Sequence, residues 1–225
     1  MIPYFLFLSP ALILMVWAQW KIKTAYHRGL RIPARLSGAA AARYILDQAS
    51  LHDVDVEESR GMMSDHYDPR DQVLRLSHDV YHQSTATSVG IAAHEAGHAL
   101  QDAEGYAPLV VRNAAVGFAQ VGAGLFSLLF LGGLVMFFVA PQLGIALLGL
   151  AIGAYALVTL FQVINLPVEI DASRRARRIL NEYQIVDEEG AVVVDDVLNA
   201  AAWKYVAAAI HSILYLIYLV SIVLN

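Results

Sequence analysis

Four long apolar stretches dominate the pattern of hydrophobic and polar positions along the 225-residue chain. They cover residues 2–20, 114–140, 142–166 and 205–224. Because a helix needs about 20 apolar residues to cross a bilayer, this pattern predicts four transmembrane helices. The chain is thereby divided into a transmembrane anchor, a polar part, a transmembrane hairpin, a second polar part and a last transmembrane helix, over residues 1–20, 21–113, 114–166, 167–204 and 205–225.

The second and third stretches meet at Pro141 and Gln142, which leave room only for a tight turn. We therefore expect a helical hairpin surrounded by membrane lipids. The hairpin is rich in glycine, and small residues let membrane helices approach each other closely. It is suited to association with a second copy of the chain or with another membrane protein.

The two polar parts carry shorter patterns that predict one small domain of mixed α and β structure. Ser37 and Ser84 stand where helix N-caps are expected, and Pro167 suits a first helical turn. Alternating positions indicate strands, and turn residues separate them. The predicted helices cover 37–48, 84–104 and 167–181, and the predicted strands cover 53–57 and 72–77.

Composition supports a membrane protein and limits which side chains could bind a metal ion. Hydrophobic residues make up 58% of the chain and charged residues only 16%, against roughly 25% in soluble domains. The net charge of -5 gives no reason to expect a nucleic-acid partner. Because cysteine is absent, a metal ion would have to be bound by His, Asp or Glu.

The basic residues predict the orientation in the membrane. All 15 lie within residues 21–113 and 167–204, which are separated by two apolar stretches and so face one side. The positive-inside rule places both segments in the cytoplasm, and the absence of cysteine agrees with a reducing compartment. We therefore expect a multi-pass protein of the cell (inner) membrane.

Residues 94–98 read His-Glu-Ala-Gly-His, within the helix predicted over 84–104. Side chains four residues apart share one face of a helix, so His94 and His98 can bind the same metal ion. Glu95 points to the neighbouring face, where it can act on a water molecule at that ion. This H-E-x-x-H spacing is typical of zinc-dependent proteases. The alternative is two ordinary histidines on a helix.

A catalytic zinc ion usually has three protein ligands, and the third lies outside this motif. Glu169 fits best because it lies on a separate predicted helix and on the same side of the membrane. Asp171 is an alternative ligand, or a partner for a histidine N–H. Glu104 follows His98 by six residues, about 9 Å along a helix and over 100° round it, and is a poor candidate.

Other histidines outside the motif are also candidates. His78 and His82 form a second pair four residues apart. We interpret it as a surface pair, with a second metal site as the alternative. His66 lies between the two predicted strands and could stabilise an oxyanion or form part of a turn. His211, in the fourth apolar stretch, occupies a costly position and is either functional or paired with a neighbouring helix.

Longer motifs surround these candidates. They read DHYDPR, LS, VY, AAHEAGHALQ and LPVEIDASRRA, over residues 65–70, 76–77, 80–81, 92–101 and 166–176. Together they resemble the YugP-type neutral zinc metallopeptidases of bacterial membranes, over nearly the whole chain. The chain is more distantly similar to the HtpX and CAAX-prenyl-protease group, where a glutamate on a later helix completes the zinc site. That group has an aspartate four residues after this glutamate, where this chain has Ser173.

The resemblance implies an α-rich membrane protein with four transmembrane helices and a small α+β gluzincin-like metallopeptidase domain. It implies one Zn²⁺ per chain with ligands His94, His98 and Glu169, and Glu95 as general base. Zinc would stabilise the oxyanion with His66 or Arg174. The expected substrates are proteins or peptides at the cytoplasmic membrane face, including membrane proteins. The alternative function is a membrane scaffold with a structural zinc site, which a fourth protein ligand would favour.

Overall fold

The computed structural model describes residues 2–61 and 64–224, with side chains described for 6–61 and 64–222. This part of the chain forms mainly helices, with one small sheet. In chain order the elements are α1 (Ile2–Gly29), α2 (Gly38–Gln48), β1 (Asp55–Ser59), β2 (His66–Asp68), β3 (Val73–Ser77), α3 (His78–His82), α4 (Ala86–Ala103), α5 (Ala107–Val139), α6 (Pro141–Glu182) and α7 (Glu188–Leu224). They divide into two compact units: Met1–Trp17, Val110–Leu166 and Tyr205–Asn225 form one, and Ala18–Leu109 and Pro167–Lys204 form the other.

The first unit contains the predicted helical hairpin. Ala140 alone separates α5 from α6, so the expected tight turn is confirmed. The two helices pack closely at Gly122, where the absence of a side chain makes room: a Cβ atom there would lie 2.8 Å from the carbonyl oxygen of Ala154. Large apolar side chains of α5 remain exposed, among them Leu128 and Phe138. Such a surface is typical of helices that face lipid.

Three helices in the described part of the chain are long and apolar enough to cross a membrane: α5, α6 and α7. The prediction of four spans is therefore corrected to three. The first predicted stretch lies in α1, but its side chains are described only from Leu6 onward, so part of that prediction lies outside the described residues. Within the part whose side chains are described, the polar Ser9 and the adjacent Pro10 interrupt the apolar stretch, and Gln19 and Lys21 end it.

The second unit contains a three-stranded sheet in the order β1-β3-β2. β1 runs parallel to β3, with Asp55 opposite Val73, and β2 runs antiparallel to it, with Tyr67 opposite Leu74. The central strand β3 is buried, whereas β1 is largely exposed. The two strands predicted from alternation are thus confirmed, although β1 begins and ends two residues later than predicted. β2 was missed because three residues are too few for an alternating pattern.

The second unit has one large hydrophobic core and a smaller separate cluster formed by α1 and α7. The large core is formed by apolar side chains from the sheet and from five helices, α2, α3, α4, α6 and α7. Helix α2 begins as predicted, since the Ser37 hydroxyl accepts a hydrogen bond from the Ala40 N–H at 3.2 Å. Helix α4 begins one residue later than predicted, because Thr85 and not Ser84 is its N-cap. The buried side chains of α4 include Val89, Ala92, Ala93 and Ala96.

Pro167 lies inside α6 and does not begin a helix, contrary to the prediction. A proline inside a helix removes one hydrogen bond at a cost of about 3 kcal/mol. That cost is offset because Val168, Ala172 and Ala176 form a fully buried stripe with helical spacing on this part of α6. Glu169 therefore lies in the middle of a long helix and gains no stabilisation from a helix N-terminus.

Candidate metal centre

The His-Glu-Ala-Gly-His segment lies in the C-terminal half of α4. The helix presents its alanine face to the core, and this orients the two histidines together on another face. The centroids of the His94 and His98 rings are 4.9 Å apart, with the ring planes at 82°. Both histidines are therefore positioned, one helical turn apart, to face a common ligand.

Helix α6 contributes the third side chain. The Glu169 Oε2 atom lies 3.3 Å from His94 Nε2 and 3.8 Å from His98 Nε2. The three side chains are only 12%, 8% and 8% exposed, in the order His94, His98 and Glu169. Ligand atoms about 2.0–2.2 Å from a tetrahedral zinc ion lie about 3.3–3.6 Å from one another, so this spacing suits zinc. Two imidazoles and one carboxylate are also a common ligand set of catalytic zinc.

A close contact between two helix backbones brings Glu169 to the histidines. A Cβ atom at Gly97 would lie 2.8 Å from the carbonyl oxygen of Ala172. Only glycine leaves enough room for α6 at this point. Because Gly97 lies between the two histidines and Ala172 lies three residues after Glu169, the contact positions all three side chains.

Burial and the two neighbouring histidines shift the pKa of Glu169 in opposite directions. Burial alone would raise the pKa of the Glu169 carboxyl, but hydrogen bonds from His94 and His98 outweigh it and hold the pKa well below its ordinary value. Burial alone would lower the pKa of His98, but Glu169 and the charge of Glu95 raise it. The site therefore has an ionised carboxylate and attracts positive charge.

Polar neighbours orient both imidazole rings. His94 Nδ1 lies 3.1 Å from the Ser173 hydroxyl, and His98 Nδ1 lies 3.0 Å from the Gln101 Oε1 atom. An Nδ1–H that donates to the side chain of Gln101 or Ser173 leaves Nε2 free to bind a metal ion. In both rings, Nε2 is the nitrogen that faces Glu169.

Gln101 also ties the two helices together. Its side chain is fully buried, and its Nε2 donates hydrogen bonds to the Val168 carbonyl at 2.9 Å and to Asp171 Oδ2 at 3.0 Å. The role of Gln101 was not predicted, although Gln101 follows His98 by three residues, a spacing that brings side chains together on a helix. Ser173 stands where the more distantly similar group has an aspartate, and the sequence alone predicts no partner for it.

The two alternative ligands are engaged elsewhere. Asp171 accepts a hydrogen bond from Arg175 Nε at 2.6 Å in addition to that from Gln101. Glu104 forms an ion pair with Arg175 at 2.8 Å. Glu104, Arg175 and Asp171 thus form a chain of ion pairs, and Asp171 also accepts a hydrogen bond from the buried Gln101. Both carboxylates support the site from outside the histidine pair.

Glu95 differs from the other acidic residues at the site. It is partly exposed, and no hydrogen bond or ion pair joins it to the residues that the structure describes. Its carboxylate is nevertheless close enough to raise the pKa of His98. A carboxylate without a fixed partner among the described residues, beside two histidines that could bind a metal ion, can exchange a proton with a water molecule.

The other predicted residues lie outside this cluster. His66 begins β2 as an exposed residue, and its Nδ1–H donates to the Ser64 carbonyl at 2.7 Å. Arg174 is 71% exposed and lies 3.6 Å from Asp171 Oδ1. The His211 ring stacks on Tyr215 with centroids 6.1 Å apart, so it has a neighbour on its own helix. The structure thus brings together His94, His98 and Glu169.

Helices long and apolar enough to cross a membrane indicate a membrane protein, and the buried cluster of two histidines and a glutamate is a ligand set found in zinc enzymes. The chain belongs to the family described as "Putative neutral zinc metallopeptidase", whose model matches residues 4–224. It is 40% identical to the "Putative membrane protease YugP" of Bacillus subtilis (strain 168) over 224 residues, which cover 98% of this chain and 97% of that protein. No solved structure matches the chain. The family and this relative support a protease role and imply zinc.

We expect Gly97→Ala to separate α4 from α6. Alanine would otherwise stabilise a helix by up to about 1 kcal/mol, but overpacking here should lower stability by about 1–3 kcal/mol and weaken zinc binding. Thermal denaturation in detergent and zinc analysis measure both effects. Gly124→Ala is the matched control, because a Cβ atom at Gly124 would meet nothing within 4 Å. Wild-type stability and zinc content in Gly97→Ala would contradict the expectation.

Proposed function

We propose that the chain is a membrane-bound zinc metalloendopeptidase that hydrolyses peptide bonds of proteins or peptides near the cytoplasmic membrane face. The observation that carries this proposal is the buried cluster of His94, His98 and Glu169 beside Glu95, which has no hydrogen bond or ion pair within the described part of the chain. Three ligands leave one position of a tetrahedral zinc ion for water or substrate, which is typical of catalytic sites. The membrane-protease relative and the apolar helices support a location in a membrane.

Each residue of the cluster has a distinct part in this reaction. His94, His98 and Glu169 would hold one zinc ion through Nε2, Nε2 and a carboxylate oxygen. When bound, zinc supplies a Lewis acid that makes water more acidic and polarises a carbonyl group. Glu95 takes the proton from the attacking water and returns it to the leaving amine. Gln101 and Ser173 keep each Nε2 directed at the ion. A role for His66 or Arg174 in stabilising the oxyanion stays a prediction.

A scaffold with a structural zinc site is the competing function. Structural zinc sites are closed by four protein ligands. Among the described residues, the group that could hold an ion here has three members, and Asp171 and Glu104 are paired with Arg175. This ligand count favours the enzyme. Association through the glycine-rich hairpin stays a prediction.

The general base can be tested with Glu95→Gln. We expect this variant to bind one zinc ion at the buried cluster as tightly as wild type but to lose at least about 100-fold in peptidase activity, because glutamine cannot accept the proton. The measurement is zinc analysis together with cleavage of a peptide library or of casein by the purified protein. Glu182→Gln, an exposed site at the end of α6, is the control. Activity near the wild-type level in Glu95→Gln would contradict this mechanism.

The third ligand can be tested with Glu169→Ala. We expect this variant to lose the tightly bound zinc ion, because a two-histidine pair binds it much more weakly than a set of three ligands. Glu182→Ala on the same helix and Glu104→Ala, which removes the earlier alternative, should both keep zinc. Zinc retained in Glu169→Ala but lost in Glu104→Ala would overturn the ligand set.

The orientation can be tested with single cysteines, because the chain contains none. Gln142→Cys lies at the start of α6, and Glu189→Cys lies in the segment proposed to face the cytoplasm. A membrane-impermeant maleimide should label Gln142→Cys in spheroplasts and label Glu189→Cys only after the membrane is permeabilised. The reverse pattern would place the cluster on the opposite face.

A further inference from the structure

The second histidine pair of the sequence acquires a third member in the structure. His78 and His82 begin and end the short helix α3, and the carboxylate of Glu58 in β1 contacts both rings. Glu58 Oε1 is 2.7 Å from His78 Nδ1, and Glu58 Oε2 is 3.0 Å from His82 Nε2. Each histidine therefore directs one ring nitrogen at a different oxygen of the same carboxylate.

The arrangement of this group resembles that of the buried cluster, although its nitrogen–oxygen distances are shorter, 2.7 and 3.0 Å against 3.3 and 3.8 Å. The ring centroids of His78 and His82 are 4.8 Å apart, against 4.9 Å for His94 and His98. In each case the carboxylate comes from a separate element and faces one nitrogen of each ring. Two imidazole nitrogens with a carboxylate suit divalent zinc, copper, nickel and cobalt rather than calcium or magnesium.

Exposure is the main difference between the two groups. The side chains of His78, His82 and Glu58 are 73%, 52% and 43% exposed. A glutamate carboxylate is ordinarily ionised at neutral pH, so Glu58 is available there as a ligand. With three protein ligands at an open surface, water would fill the remaining positions. An ion here would exchange more readily than one at the buried cluster.

The position in the fold indicates what an ion would do. β1 is an edge strand, and α3 follows directly on the neighbouring strand β3. A helix of five residues is too short to be stable alone. An ion bound by Glu58, His78 and His82 would connect the edge strand to this short helix.

We propose that Glu58, His78 and His82 form a second metal site, at the protein surface, for a divalent transition-metal ion such as Zn²⁺. It shares no residue with the His94–His98–Glu169 cluster. Metal bound there stabilises the packing of β1 against α3 and takes no part in peptide hydrolysis.

The test is titration of the full-length chain with Zn²⁺ in detergent, without a polyhistidine tag. By calorimetry, wild type should bind two ions per chain, one tightly and one more weakly. His78→Asn/His82→Asn should bind one, and Glu58→Gln should weaken the second site at least ~10-fold. Because these side chains are exposed, the variants should fold. His52→Asn, at another exposed histidine, is the matched control and should bind two ions.

A second measurement is independent of stoichiometry and of activity. Zinc added beyond the first equivalent should raise the thermal denaturation temperature of wild type and of His52→Asn, but not that of His78→Asn/His82→Asn. The same weak site and the same temperature shift in all three proteins would overturn the proposal.

The outcomes also separate this proposal from the proposed function. One ion per chain in wild type that persists in His78→Asn/His82→Asn rejects the surface site and leaves the buried cluster as it stands. One ion that disappears in that variant supports the surface site and contradicts zinc binding by His94, His98 and Glu169.

Discussion

The contact between the backbones of α4 and α6 at Gly97 and Ala172 is the constraint on which the site depends. At this point a methyl group on α4 would approach the carbonyl oxygen of Ala172 to 2.8 Å. The absence of a side chain lets the helices approach within reach of short polar groups. Glu169 can then reach both histidines, and Gln101 can reach the Val168 carbonyl. A shift of about 1 Å between the helices would break these contacts together, because hydrogen bonds tolerate only a few tenths of an ångström.

Burying so many polar groups is possible because each has a partner. An unsatisfied buried polar group costs about 1–3 kcal/mol, so a partly satisfied cluster would be less stable than an apolar one. Here Gln101 joins His98 to α6 and Ser173 joins His94 to α6. Asp171 then bonds both Gln101 and the partly buried Arg175. The same bonds that stabilise the helix pair also determine which ring nitrogen faces the carboxylate.

Much of this arrangement could be predicted from local patterns, and the rest depends on tertiary packing. The spacing of His94 and His98 follows from helical geometry, and Glu169 could be chosen by its side of the membrane. The continuation of α6 through Pro167 could not be predicted, because a proline after an apolar stretch can equally well begin a new helix. The helix continues because the residues after Pro167 form a buried stripe, and burial is not visible in the sequence. The partners of Glu58 were also beyond prediction, since they lie 20 and 24 residues away across a parallel strand pair.

The two histidine groups show why ligand type alone does not determine what a site can do. Both combine imidazoles four residues apart with a carboxylate from another element, and the ring separations agree within 0.1 Å. At the buried cluster, the low local dielectric strengthens the attraction between an ion and Glu169, and neighbouring side chains determine how each ring is oriented. At Glu58, water screens the charges and competes for the ion. A bound ion would therefore be held firmly, with one defined open position, only where α4 and α6 enclose it. Burial, and not the identity of the ligands, makes the buried group the one suited to catalysis.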